Sequence, residues 1–147
     1  MRIKKTNNKG FSLIELIIVI AIMAIIVAVL APQFLRYIER SKQGKDADAA
    51  GVIQRAITVA MIDTSIPDRP DTFTGDIVLL DNGTRPVFAE AIKEYIGDYT
   101  LADFKERNII SNAYKDSDVI VTIDASTELV RVTINSNTAG VDDIVVE

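Results

Sequence analysis

From Leu16 to Ala31 the chain carries no polar side chain, and a single carboxylate, Glu15, stands immediately before this run. A helix of about twenty residues, at about 1.5 Å rise per residue, fills the hydrocarbon core of a bilayer. The stretch from Lys9 to Pro32, KGFSLIELIIVIAIMAIIVAVLAP, is therefore long enough to cross most of one. Its position near the N-terminus leaves two readings, a cleaved secretory signal or a retained membrane helix. A secretory signal joins a charged start to about seven to fifteen apolar residues and a small-residue cut site. Arg2, Lys4, Lys5 and Lys9 supply such a start, but the run is too long, and Ala31, Pro32, Gln33, Phe34 is not an A-x-A ending. Glu15 points the same way, because a carboxylate inside an apolar helix is costly and is retained for a function.

Beyond Pro32 the helical pattern resumes. Proline lacks the N–H and crowds the carbonyl four residues back, so a kink is expected there, not a stop. Phe34, Leu35 and Ile38 are apolar, and Glu39 to Asp48 is mostly polar, with Glu39 and Lys42 spaced to pair along the surface. Ala49, Val52, Ile53, Ala56, Ile57 and Ala60 then recur at i, i+3, i+4, i+7, i+8 and i+11, the stripe of a helix with one buried face. Gln54, Arg55 and Thr58 fall opposite. Gly44 and Gly51 each weaken a helix by about 1 kcal/mol relative to Ala and so mark a bend or a close contact. Asp63, Thr64 and Ser65, before Pro67, end the helix. From Phe11 to Ile62 it would span roughly 75 to 80 Å at about 1.5 Å per residue.

Pro67 to Asp71 reads as an irregular turn, followed by a short strand at Ile77 to Leu80 that ends in the turn pair Asn82, Gly83. Asn82, Gly83, Thr84 also matches a glycosylation sequon, for which the hairpin turn is the preferred account. Pro86 argues against a partner strand; Phe88, Ile92, Tyr95 and Ile96 have helical spacing, closed by Gly97. Thr100 with Asp103 resembles a capping box for one more short helix, Leu101 to about Arg107. The clearest β signal is C-terminal: β-branched Val119 to Ile123, then Leu129 to Asn135 with Val130, Val132 and Ile134 on one face. Asp124 to Thr127 joins them as a hairpin, and Ile144 to Val146 adds a third strand, since two alone are rarely stable in water. The sheet is expected to pack on the Ala49 to Ala60 face.

Catalytic chemistry is sparse. With no His and no Cys, Ser-His-Asp and Cys-His nucleophiles and His- or Cys-based zinc sites are excluded. There is no GxGxxG and no P-loop pattern. No catalytic residue, cofactor-binding residue or metal ligand is assigned, and the chain reads as a non-enzyme. The pairs Asp116 with Asp118 and Asp142 with Asp143 leave calcium as the one ion to consider, but neither has EF-hand spacing, and solvated turn acids are the preferred reading.

Lys9, Gly10, Phe11, Ser12, Leu13, Ile14, Glu15 and Leu16, followed by an apolar run ending at Pro32, resemble the class III leader of type IV pilins and type II secretion pseudopilins. The resemblance covers Lys9 to about Ile62 well and the remainder only in layout. It implies that a prepilin peptidase cuts after Gly10 and methylates the new amine of Phe11, so that the apolar run stays on the mature chain. It further implies that Glu15 pairs with the terminal amine of Phe11 on an adjacent subunit, and that the helix before Pro32 loosens in a filament. A cation created by cleavage would stand unpaired in an apolar core unless a carboxylate neutralised it. Many members of the family close their C-terminal region with a disulfide, which a cysteine-free chain cannot do; packing or a bound ion must serve instead.

The expected organisation is a leader, 1–10; a membrane and filament-core half of the helix, 11–33; and an exported head, 34–147, that includes the rest of the helix. The fold class is α+β, a long kinked helix packed through its C-terminal half on a small antiparallel sheet. Removing the leader leaves 12 basic against 21 acidic residues, a net charge of −9. That exterior argues against general nucleic-acid binding, while the positive start is consistent with an N-terminus kept in the cytoplasm. The favoured function is a pilus subunit that forms a helical homo-oligomer. Its partners are the prepilin peptidase, the cytoplasmic membrane and the pilus assembly machinery, and the cell surface is its destination. A pseudopilin of a type II secretion or DNA-uptake apparatus, and an unrelated single-span protein with an exported binding domain, stand as alternatives.

Overall fold

The computed structural model describes residues 10–97 and 100–147. The chain divides into two units, Met1–Ile38 and Glu39–Glu147, and a single helix, α1, Leu13–Ile62, supplies residues to both. α1 runs through Pro32 without interruption, and the Arg36 Nε donates to the Pro32 carbonyl at 3.4 Å. The expectations for Met1 to Lys9 lie outside the described residues.

In the second unit α1 is followed by β1 (Thr72–Asp76), a 3-10 turn (Ile77–Asp81), α2 (Pro86–Ile96), α3 (Leu101–Asn108), β2 (Val119–Asp124), β3 (Leu129–Ile134) and β4 (Ile144–Val146). The four strands form one antiparallel sheet in chain order, with Thr74 opposite Thr122, Val121 opposite Val132 and Thr133 opposite Val145. Alternation along β2 and β3 sends Val119, Val121, Ile123, Val130, Val132 and Ile134 to one face, and all six are buried. That face meets Ala49, Ala50, Ile53, Ala56, Ile57 and Ala60 of α1. Four of these six are alanines. Ile53 and Ile57 fill the space between, each contributing about 1.5–3 kcal/mol by leaving water. Phe88 and Ile92 of α2, with Leu101 and Phe104 of α3, close the same core.

The first strand of the sheet is displaced from where the sequence suggests it. The expected strand at Ile77 to Leu80 is instead the 3-10 turn, and the strand lies just before it. The cause is Asp76, whose carboxylate accepts the Val78 N–H at 2.8 Å and turns the chain into a helical cap one residue before Ile77. Asn82 and Gly83 consequently make no hairpin. Asn82 Oδ1 accepts the Thr84 N–H at 3.0 Å, in a loop leading to α2. The remaining boundaries follow their local chemistry. Pro86 opens α2, and Gly97 closes it at φ 96°, in the left-handed region. Thr100 caps α3 by accepting the Asp103 N–H at 3.1 Å.

Two expectations about α1 need correction. Glu39 does not pair with Lys42; its carboxylate takes the backbone N–H and side-chain amide of Asn112, at 2.6 and 3.2 Å. Gln54 does not face away from the sheet, since its Nε2 reaches the Val130 carbonyl at 3.5 Å. Nor do the two helix glycines mark close packing. A Cβ at Gly44 would meet nothing within 4 Å, and at Gly51 only the Arg55 guanidinium at 3.3 Å.

Candidate functional site

The first turn of α1 is built by Ser12 and Glu15. Four N–H groups at a helix start lack intrahelical partners, and a Ser-x-x-Glu spacing answers them with side-chain oxygens. Glu15 Oε2 accepts the Ser12 N–H at 2.8 Å, and the Leu16 N–H closes the turn on the Ser12 carbonyl at 3.3 Å. The carboxylate thus lies at the positive end of the helix dipole. Gly10 and Phe11 precede the helix as exposed, non-helical chain, with Phe11 94% accessible. The Gly10–Phe11 peptide bond is accordingly exposed to solvent.

Beyond this turn every residue through Leu35 is exposed, and the large apolar side chains from Leu13 to Leu35 are each at least 45% accessible. An eighteen-residue window of α1 has mean hydropathy 3.3 and none of it is buried within the chain. Apolar patches on soluble monomers rarely exceed a few hundred Å². A helix bare on all sides therefore needs a second apolar medium, lipid or other helices. Glu15 is the sole ionisable residue from Leu13 to Leu35, which makes it the one electrostatic handle on this surface. Gly10, Phe11, Ser12 and Glu15 thus come together at the helix start. Pro32 stands apart, near the other end of the bare segment.

Sequence reasoning missed a second pair of acids. Asp46, fully buried, accepts the Ile110 and Ser111 N–H groups at 2.8 and 3.1 Å. Together with Glu39 on Asn112 it holds three successive amides of the loop after α3. The signal was present, because Asp46 lies three residues before Ala49 and seven before Ile53, on the buried stripe. An acid on such a stripe reads as solvated until its distant N–H partners are known. In each carboxylate pair considered for calcium, one acid has another partner: Asp118 lies 3.4 Å from Lys105, and Asp143 accepts the Ser136 N–H at 2.7 Å. Among the described residues no group of three or more acids is placed to hold a metal.

The C-terminal loop is stitched without cysteine. Asn137 N–H donates to the Ala113 carbonyl at 2.8 Å, Ser117 Oγ to the Asn135 carbonyl at 2.6 Å, and the Tyr114 hydroxyl to the Asp142 carbonyl at 2.5 Å. Burial, then the charges of Asp143, Asp142 and Asp46, raises the Tyr114 pKa and keeps that hydroxyl a donor.

Residues 5–31 match the family model described as the prokaryotic N-terminal methylation motif. Over 59 residues the chain is 41% identical to the type IV major fimbrial protein FimA of Dichelobacter nodosus, which covers 40% of this chain and 38% of that one. Over 47 residues it is 47% identical to the type IV major pilin protein PilA of Myxococcus xanthus, 31% of this chain and 21% of that one. It is 36% identical over 63 residues to the prepilin peptidase-dependent protein A of Clostridium perfringens, 43% of this chain and 45% of that one. The match thus spans less than half the length of each of these relatives. No solved structure matches the chain.

Proposed function

We propose that this chain is a type IV pilin, a structural subunit made as a membrane-held precursor and assembled into a surface filament through α1. The observation that carries the reading is the bare apolar half of α1, with Glu15 as its one charge, inside a segment that matches the N-terminal methylation motif. Relatives named as major fimbrial and pilin proteins favour the filament subunit over a pseudopilin. In this reading a prepilin peptidase cuts after Gly10 and methylates the amine of Phe11. The leader and its lysines stay in the cytoplasm, the apolar helix waits in the membrane, and the Glu39–Glu147 unit is exported.

The chemistry of Glu15 then acquires its purpose. Cleavage converts the peptide nitrogen of Phe11 into a cation, which is costly in an apolar bundle unless a carboxylate meets it. Each subunit brings one of each, so pairing Phe11 of one copy with Glu15 of its neighbour neutralises both and fixes their stagger. Pro32, where the Ala28 carbonyl loses its helical donor, provides the point at which the bare segment can bend to follow the bundle. The subunit works by packing and recognition, with no reaction of its own. Mass spectrometry of filaments sheared from cells tests the proposal: this chain as the main component supports it, and its absence from them removes it.

A further inference from the structure

At the C-terminal end of α1 the head carries a cleft of about 650 Å³, open between the helix end, the following loop and the β2–β3 turn. Met61, Pro67, Pro70 and Leu129 form its apolar walls, and Asp71, Asp124 and Glu128 bring three carboxylates to it. Its one cation, Arg69, is turned inward, donating from Nη1 to the Met61 carbonyl at 2.7 Å and from Nε to the Ile66 carbonyl at 3.1 Å. Arg69 keeps its charge while tied to the helix end, and three carboxylates against this one guanidinium leave the cleft with a net negative charge. At its rim Glu128 holds φ 56°, a left-handed conformation that strains a non-glycine residue.

The same unit carries the opposite charge at its other end. Arg40, Lys42 and Lys45 lie on α1 near the start of the head, and among the described residues none of them forms an ion pair. Of the three acids near them, Glu39 is engaged on Asn112 and Asp46 on Ile110 and Ser111, which leaves exposed Asp48 against three cations. From Lys45 to Ile62 the helix rises about 25 Å, so the basic segment cannot reach the cleft of its own copy.

We propose that the cleft receives the Arg40–Lys45 segment of a second copy of this chain, a head-to-tail contact between unlike surfaces. A long cationic side chain suits such a cleft, its stem along Met61 and Leu129 and its head among Asp71, Asp124 and Glu128. Contacts between unlike surfaces that do not close into a ring propagate as open helices, which is the assembly that the filament reading requires. The inference rests on that reading and adds the surface by which the heads choose one register, a role that complementary charge performs through specificity.

A zero-length carbodiimide, which joins a lysine amine to a carboxylate in contact with it, tests the proposal on filaments of the unaltered chain. Cross-linked peptides joining Lys42 or Lys45 to Asp71, Asp124 or Glu128, in species of two or more subunits, are the expected result. Intact filaments without those cross-links overturn the contact and leave the pilin reading standing, whereas a chain that forms no filaments removes both. Charge reversal provides the second arm. Lys45→Glu and Glu128→Lys should each lower filament yield, and the double variant should restore it. Singles that assemble normally, or a double that is no better than either single, overturn the contact.

Discussion

Glu15 Oε2 accepts the backbone N–H of Ser12 at 2.8 Å, so in the uncut chain the carboxylate is already turned toward the end of the helix that cleavage exposes. Its cap on Ser12 and its charge can be separated by substitution. Glutamine at the same place keeps an oxygen for the Ser12 N–H, as the Ser-x-x-Glu/Gln box allows, but carries no charge. Glu15→Ala and Glu15→Gln are both expected to be cut and methylated normally and to yield few or no filaments. Wild-type filament yield from Glu15→Gln would show that the cap, not the charge, is what matters.

Asp46 is a stability residue with a larger expected effect than any surface acid. Its removal leaves the buried N–H of Ser111 and the half-buried N–H of Ile110 without acceptors. At about 1–3 kcal/mol for each unsatisfied group, Asp46→Ala should cost roughly 2–6 kcal/mol, the half-buried site drawing it toward the lower end. Glu39→Ala exposes its Asn112 partners to water and should cost about 1 kcal/mol or less. Thermal unfolding of the full chain in detergent ranks the two, and equal losses would contradict the clamp.

Acid should weaken the head partly through Asp76. Burial pushes its pKa up, but the Lys105 ammonium and the Val78 and Val119 N–H groups, all hydrogen-bonded to it, outweigh this and lower it. A carboxyl whose folded pKa is depressed adds stability above its unfolded value, about 3.9, and loses it as pH falls through the folded value. Asp76→Asn is therefore expected to be less stable at neutral pH and to lose less on acidification below about pH 4. An unchanged pH profile would contradict this role.

Tyr114→Phe removes the donor to the Asp142 carbonyl and should cost about 0.5–1.5 kcal/mol. The loss is expected to appear as faster amide exchange across residues 135–143, with the β2–β3 ladder unaffected. In a chain without cysteine these hydrogen bonds, with Asn137 on Ala113 and Ser117 on Asn135, do the closing.

Much of this fold is legible because the periodic signals are strong. The Ala49 to Ala60 stripe, the alternation in β2 and β3, Gly97 at a left-handed cap and Thr100 at an N-cap all express local rules that packing then reinforces. The failures come from polar side chains captured by backbone groups, in most cases far away in sequence. Asp76 binds Lys105 and Val119 as well as Val78, and so stops β1 where a hydrophobic run continues. Glu39 and Asp46 find their acceptor role 73 and 64 residues downstream, a distance at which no spacing rule operates. The start of α1 was readable for the opposite reason: Ser12, Glu15 and the bare run are neighbours, and nothing distant intervenes.

The central claim is that α1 begins at a cut end. Mass spectrometry of the N-terminal peptide from purified filaments tests it most directly. A peptide beginning at N-methylated Phe11, with Glu15 intact, is the predicted result; subunits that retain Met1 to Gly10 would contradict it.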